Sequence, residues 1–305
     1  MYKRKAQKVR PVDSSYSDGT SPGRLGWKDE ILEGEQQGYH YKQAPYGHWL
    51  IPKFSTLTKG TRLTDERVAL TQIGIDLLPQ EKELLMQVLY NREAVLSWDF
   101  SEIGKVRSAV AVPQQIRTVP HTAWQAPGFP IPRALTGTVV EMLKDRISSG
   151  LLEPCYGPYR NPWFLVKKKS GKYRMVNAAM NINKVTVRDA NLPPSVDEFS
   201  EEFAGMQMTS LINFFSGYDQ IELDSRCRDL TAFMTPLGLL RQTTLPQGAT
   251  NSVAQFVRIV VKILADLILT VCQPFLDDIG VKGPYSRYQD IEVIPGVRRF
   301  VLEHI

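Results

Sequence analysis

Cysteine is scarce in this chain. Its 305 residues include three cysteines, Cys155, Cys227 and Cys272, and four histidines. No close Cys/His pair has zinc-ligand spacing, which excludes a zinc knuckle or zinc finger. The odd, sparse count fits a reducing intracellular compartment, cytoplasmic or nuclear. A long unbroken apolar run is also missing. The most apolar stretch, Phe256 to Cys272, is interrupted by Arg258, Lys262 and Asp266 at four-residue intervals. That spacing puts three charges on one stripe of a helix, the pattern of a packed amphipathic helix and not of a membrane span. The N-terminus has no apolar h-region, so it is not a secretory signal. No internal repeat is found.

What is present is an ordinary globular composition with a basic excess. Hydrophobic residues make up 43% and charged residues 23%, near the average for soluble domains. The length suffices for one large domain or two ordinary ones. The net charge is +5. The first ten residues hold Lys3, Arg4, Lys5, Lys8 and Arg10 and no acid. Such a segment is either a solvated tail or an arm that gains affinity for a phosphate backbone by counterion release.

Local patterns divide the chain. Residues 1–70 lack sustained periodicity and read as a basic linker of low order. Residues 71–133 read as a helical and Pro-rich connector. Within them, 78–98 is expected to be helical, with Pro79 in the first turn and Leu84, Leu85, Val88, Leu89 and Val95 on one face. The stretch 110–132 is expected to be extended. Residues 134–305 hold a helix over 135–151, stopped at Gly150. A hairpin follows, with strands at 163–168 and 173–176 around Ser170-Gly171. Strands are expected at 208–214 and 231–234, then the 256–272 helix. A last hairpin at 275–281 carries two aspartates near its tip. Helices and strands mix without regular alternation, which argues for an α+β fold.

Four motifs carry chemistry. Asp277-Asp278 places adjacent carboxylates at a hairpin, where they repel each other unless cations intervene. Mg²⁺ takes oxygen ligands and binds through one or two carboxylates plus substrate phosphates, and two such ions can clamp a phosphoryl transfer. The other reading is a solvated Asp-Asp turn. Lys167, Lys168 and Lys169 with Arg174 form a cationic hairpin tip, able to close on a triphosphate or simply exposed. Leu245-Pro246-Gln247-Gly248 is a tight turn in which Gly248 allows close approach and Gln247 offers donors and an acceptor. Ser216-Gly217-Tyr218 offers an aromatic, either under a sugar or in the core.

Order and spacing decide between these readings. The segments "GLLEPCYGPYRNPWFLVKKKSGKYRMV", "NKVTVRDANLP", "LINFFSGYDQIEL", "TAFMTPLG", "LPQGATNSVAQF" and "FLDD" follow one another between Ile147 and Ile305. In that order they resemble the reverse transcriptases of gypsy-type long-terminal-repeat retrotransposons, particularly fungal ones. The segment 78–132 more loosely resembles the connector that precedes the polymerase in fungal Pol polyproteins. The resemblance implies the fingers and palm of a right-hand polymerase with a partly irregular N-terminal extension. It implies RNA-directed DNA polymerase activity, with two Mg²⁺ ions, deoxynucleoside triphosphates, and an RNA or DNA template with its primer as partners.

Residue by residue, Asp277 and Asp278 match the palm's metal ligands. Lys168 and Arg174 match the fingers residues that hold the triphosphate, Tyr218 the aromatic gate against a ribose 2′-hydroxyl, and Gln247 the nucleotide and template contact. Asn183 and Lys184 match the Asn-Lys of the fingers-to-palm region. With Lys167, Lys169 and Gly248 they are expected at the template and primer.

Two departures stand out. Ala178-Ala179-Met180 occupies the place of an Asp-Tyr-Arg run. Asn213 stands where the family's third catalytic aspartate is expected, so the site presents two negative charges against two divalent ions. Activity is therefore expected to be impaired, and the alternative is a non-catalytic remnant that at most binds nucleic acid. The family's thumb and RNase H would follow residue 305 in an intact element, and no Asp-Thr-Gly or Asp-Ser-Gly protease signature is present.

Overall fold

Thr64 opens the ordered part of the chain by capping a helix. Its Oγ1 accepts from the Arg67 N–H at 3.4 Å, and Asp65 and Glu66 in the first turn suit the helix dipole. The computed structural model describes residues 62–168, 171, 173–191 and 195–305. These residues belong to a unit that begins at Leu50. The first helix, α1 (Asp65–Leu70), falls at the end of the segment expected to be irregular. The rest of that expectation, residues 1–61, lies outside the described residues.

The connector helix α2 spans Pro79–Asn91, with Pro79 in its first turn. It stops short of the expected Trp98 for a tertiary reason. Glu93 accepts from the backbone N–H groups of Arg62 and Leu63 at 3.1 and 2.9 Å. Arg62 in turn donates to the carbonyls of Ala94 and Leu96 at 2.5 and 2.9 Å. The segment therefore tightens into a 3₁₀ turn at Glu93–Val95, and Val95, expected on the apolar face, is 76% exposed. Residues 110–132 are extended, touching the rest of the chain through isolated bridges at Gln114, Thr118 and Gln125.

Helix α3 (Thr136–Ser148) buries Val139 and Leu143. Strand β1 (Leu152–Pro154) follows. The hairpin of β2 (Trp163–Lys167) and β3 (Tyr173–Asn177) pairs antiparallel with Val166 opposite Arg174. Short helices α4 (Met180–Val185) and α5 (Val196–Glu201) come next. Strand β4 (Ser210–Asn213) leads to β5 (Phe233–Thr235) and β6 (Gly238–Gln242). β6 is central in a sheet of order β1-β6-β5. One apolar cluster joins α3 to this sheet: Val139, Leu143, Leu152, Trp163, Phe233 and Leu240.

Helix α6 spans Ser252–Ile263, four residues earlier at its start than expected and nine earlier at its end. Its start is hidden from periodicity because polar residues there find distant partners. Gln255 donates to the Gln115 carbonyl at 2.8 Å, and Ser252 to the Pro246 carbonyl at 2.6 Å. Beyond Ile263 the chain turns back, with Leu269 in the left-handed region at φ 74°. It then enters β7 (Cys272–Phe275) and β8 (Asp278–Val281). The second sheet has the order β4-β8-β7. Helix α6 packs Phe256, Ile259 and Val260 against Ile221 and Leu245. The chain closes with β9 (Glu292–Ile294), β10 (Val297–Arg298) and α7 (Arg299–His304). The mixture is α+β, as the sequence indicates.

A buried ion pair ties the connector to this C-terminal part. Glu81 is fully buried. Its carboxylate accepts from the Arg298 backbone N–H at 2.9 Å, from Nε at 2.8 Å and from Nη2 at 2.7 Å. Burial pushes the Glu81 carboxyl up, but the Arg298 and Leu78 hydrogen bonds outweigh it and hold it below its ordinary value. Breaking such a pair strands a buried charge, so Glu81→Gln is expected to lower the unfolding free energy by about 3–5 kcal/mol in a denaturant titration. Because the folded-state pKa is depressed, the contribution is present above the ordinary value of 4.5 and is lost as pH falls through the lower folded value. The variant is expected to show a shallower loss of stability on acidification.

Candidate active site

The β7–β8 hairpin is joined by two residues, with Phe275 opposite Asp278 across the turn. Leu276 takes the left-handed conformation at φ 54°, a strained choice for a residue with a Cβ. The turn thereby presents Asp277 at the tip and Asp278 at the head of β8. The Phe214 N–H donates to the Asp277 carbonyl at 3.0 Å, pinning the tip to the end of β4. In the β4–β8 register Asn213 lies opposite Asp278. The two side chains meet: Asn213 Nδ2 donates to Asp278 Oδ1 at 2.6 Å. The uncharged amide thus satisfies one carboxylate oxygen by hydrogen bonding, where a third carboxylate would need a cation between them.

Asp277 lines a cavity of about 420 Å³, within the size range of small-ligand sites. Lys168 and Arg174 stand on its wall. The pleat explains why: two positions apart in cross-strand register, they share a hairpin face, and Lys167 takes the other. Tyr218 and Asn213 line the same cavity, as do Gln247 and Gly248. Gly248 sits at φ 91°, a conformation that suits glycine. The Tyr218 ring stacks on Phe256 at 4.8 Å. Burial raises the Tyr218 hydroxyl pKa, and the Asp277 charge raises it further.

Other expected residues stand apart. Asn183 spends both ends of its amide on the 246–250 turn, donating to the Gly248 carbonyl at 3.0 Å and accepting from the Thr250 N–H at 2.7 Å. Lys167 and Lys184 are exposed and are not on the cavity wall. Lys169 lies outside the described residues.

Residues without a motif also build the wall: Phe100, Arg146, Asn177, Asp219 and Gln242. Asp219 sits inside the quoted "SGYDQ" string, but nothing in its spacing marks it as a wall residue. Phe100 and Arg146 come from the connector and α3, and no local signal links them to the site. The buried amide oxygens of Asn177 and Gln242 have no hydrogen-bond partner among the described residues. Unsatisfied groups of this kind are uncommon in native folds, where function is one of their explanations.

The donor set limits what metal it can hold. Among the described residues, no group of three or more His, Cys, Asp or Glu side chains converges on a metal site. Asp277 is on the cavity wall and Asp278, its neighbour in sequence, is not; two carboxylates would need water and phosphate oxygens to complete a divalent cation's shell. They do not supply the three carboxylates expected for two ions.

Residues 166–299 match the family described as reverse transcriptase (RNA-dependent DNA polymerase). The retrovirus-related Pol polyprotein from transposon 297 of Drosophila melanogaster is 26% identical over 70% of this chain and 20% of its own length. That from transposon opus of the same organism is 30% identical over 56% of this chain and 18% of its own. The chain thus spans about a fifth of these relatives. A native prototype foamy virus protease–reverse transcriptase superposes with a TM-score of 0.64 at 20% identity, covering 74% of this chain and 30% of that one. A foamy viral protease–reverse transcriptase in complex with an RNA/DNA hybrid gives 0.61 at 20%, with the same coverage. The fold is that of reverse transcriptase fingers and palm. No helix among the described residues is long and apolar enough to cross a membrane.

Asn213→Asp tests the metal geometry directly. In chelator it places like charges face to face across β4 and β8, and the unfolding free energy is expected to fall by about 0.2–1 kcal/mol. Millimolar Mg²⁺ should reverse the loss and stabilise the variant more than the original chain. If thermal unfolding of the variant ignores Mg²⁺, residues 213, 277 and 278 do not form a metal site.

Proposed function

We propose that this chain is the fingers and palm of a gypsy-type retrotransposon reverse transcriptase, impaired by Asn213. The observation that supports this most is the convergence of Lys168, Arg174, Tyr218, Gln247 and Asp277 on one cavity. They come from four separate motifs, and each motif taken alone is also an ordinary turn or core residue. The two transposon relatives named above are from an insect, and a fungal host rests on the sequence resemblance alone.

The reaction in this reading is template-directed nucleotidyl transfer. The primer 3′-hydroxyl oxygen forms a bond to the α-phosphorus of a deoxynucleoside triphosphate. The bond from that phosphorus to the α,β-bridging oxygen breaks, pyrophosphate leaves, and the hydroxyl proton passes to solvent. Lys168 and Arg174 bind the triphosphate, Lys as a point charge and Arg as a fork. The Tyr218 ring supports the sugar, and Gln247 with Gly248 faces the base and template. Asn183 holds the Gly248 turn. Lys167, Lys169 and Lys184 act by charge on the nucleic-acid backbone. Asp277 and Asp278 would hold Mg²⁺, which would supply charge neutralisation and Lewis acidity. The thumb and RNase H of a full Pol polyprotein complete the enzyme.

One observation favours a second reading. The Asn213–Asp278 hydrogen bond occupies a carboxylate that polymerisation needs free, so the chain would be a non-catalytic remnant that binds nucleic acid. Primer extension on an RNA template decides, with the chain spliced in place of the fingers and palm of a related polyprotein. Asn213→Asp is expected to extend the primer about 10²–10³-fold faster than the original, as loss of roughly 3–4 kcal/mol of metal stabilisation implies. Equal rates would show that the amide suffices as a ligand. Silence from both, with salt-dependent binding retained, would establish the remnant.

A further inference from the structure

We infer that Asp219, tied to Arg146 and Thr244, is the positioning residue for Tyr218, and so sets how strictly the cavity separates deoxyribose from ribose. The inference rests on the proposed function and deepens it.

Tyr218 lies in a 3₁₀ turn, Gly217–Gln220, entered through Ser216 at φ 51°. A serine in the left-handed region needs something to hold it there. Asp219 does so twice. Its N–H donates to the Ser216 carbonyl at 2.9 Å, and its Oδ2 accepts from Ser216 Oγ at 2.6 Å. Its Oδ1 accepts from Thr244 Oγ1 at 3.3 Å, which ties the turn to the chain leading into the Gln247 turn. Arg146 closes the arrangement from α3, with Nη2 3.5 Å from Asp219 Oδ2. The Arg146 guanidinium also lies over the Phe100 ring at 5.2 Å, and Phe100 meets Phe215 edge-on at 5.8 Å.

On the opposite side the turn has no room to yield. A Cβ on Gly217 would sit 2.7 Å from the Phe256 ring, and the Tyr218 ring is stacked on that same Phe256. The aromatic is thus held between a hydrophobic backstop and a charged tether. The Asp219 and Arg146 side chains are only 15% and 20% exposed, so solvent screens the tether weakly. A sugar 2′-hydroxyl is rejected by ring placement, and a gate that can shift by a fraction of an ångström loses selectivity before it loses binding.

The test needs no turnover. The full chain is bound to an RNA template carrying a dideoxy-terminated primer, with Mg²⁺, and retention of the complex is measured against dATP and against ATP opposite a template uridine. The original chain is expected to favour dATP. Asp219→Asn and Arg146→Gln are expected to cut that preference at least about tenfold, chiefly by strengthening ATP relative to dATP. Asp219→Glu should restore the preference. Thr244→Val, which removes one anchor and no charge, should give a partial loss and covers the case in which Asp219→Asn fails to fold. If Tyr218→Ala abolishes the preference while Asp219→Asn and Thr244→Val leave it intact, the positioning role is wrong and the polymerase reading stands. If the original chain discriminates between neither nucleotide, or Tyr218→Ala changes nothing, the polymerase reading fails and the inference falls with it.

Discussion

Everything at the candidate site depends on the pairing of β4 with β8. That ladder sets residue 213 opposite residue 278 and, through β7, closes the hairpin that holds Asp277 at its tip. A one-residue slip would send every side chain of β4 to the other face. It would carry residue 213 away from the aspartates and break the Phe214 to Asp277 backbone bond. Because β8 is bonded on both sides, the register is held from two directions. The strained turn at Leu276 persists for the same reason: both of its flanks are held in the ladder.

Charge then decides what this geometry does. The cavity wall carries Lys168, Arg174 and Arg146 against Asp277 and Asp219. Asp219 is already engaged by Arg146 and two hydroxyls, which leaves Asp277, with Asp278 beside it, as the negative pole. An anionic triphosphate suits the two cations of the β2–β3 hairpin. A divalent cation suits the aspartates. In the proposed reading, a metal-bound triphosphate joins the two poles.

Much of this was legible in the sequence, and the limits have physical causes. The β2–β3 hairpin, the aspartate hairpin and α3 follow local rules: alternation, a turn between strands, and an apolar stripe. The start of α6 was hidden because Ser252 and Gln255 look like loop residues until Pro246 and Gln115 accept their hydrogen bonds. The end of α2 was hidden because Arg62, some thirty residues earlier, takes the carbonyls a longer helix would have used. Of the wall residues, Lys168, Asn213, Tyr218, Gln247, Gly248 and Asp277 lie at positions the sequence singles out, whereas Asp219, Arg146 and Phe100 carry no such signal. Their role exists only once α3 and the connector are folded against the turn at Gly217. A single sequence holds no periodic trace of such contacts.

The connector is therefore part of the site's foundation. Its Phe100 stands on the cavity wall, and the Val106 N–H donates to the Gln220 carbonyl at 2.8 Å, at the end of the turn that bears Tyr218. At its other end Glu81 is locked to Arg298 inside the fold. A buried pair of this kind adds little net energy over an apolar replacement, yet leaves a large penalty for any arrangement that separates its partners. That asymmetry makes it a good fixer of register between distant segments. Here the segments are the connector, through Glu81, and the strand pair β9–β10, through Arg298.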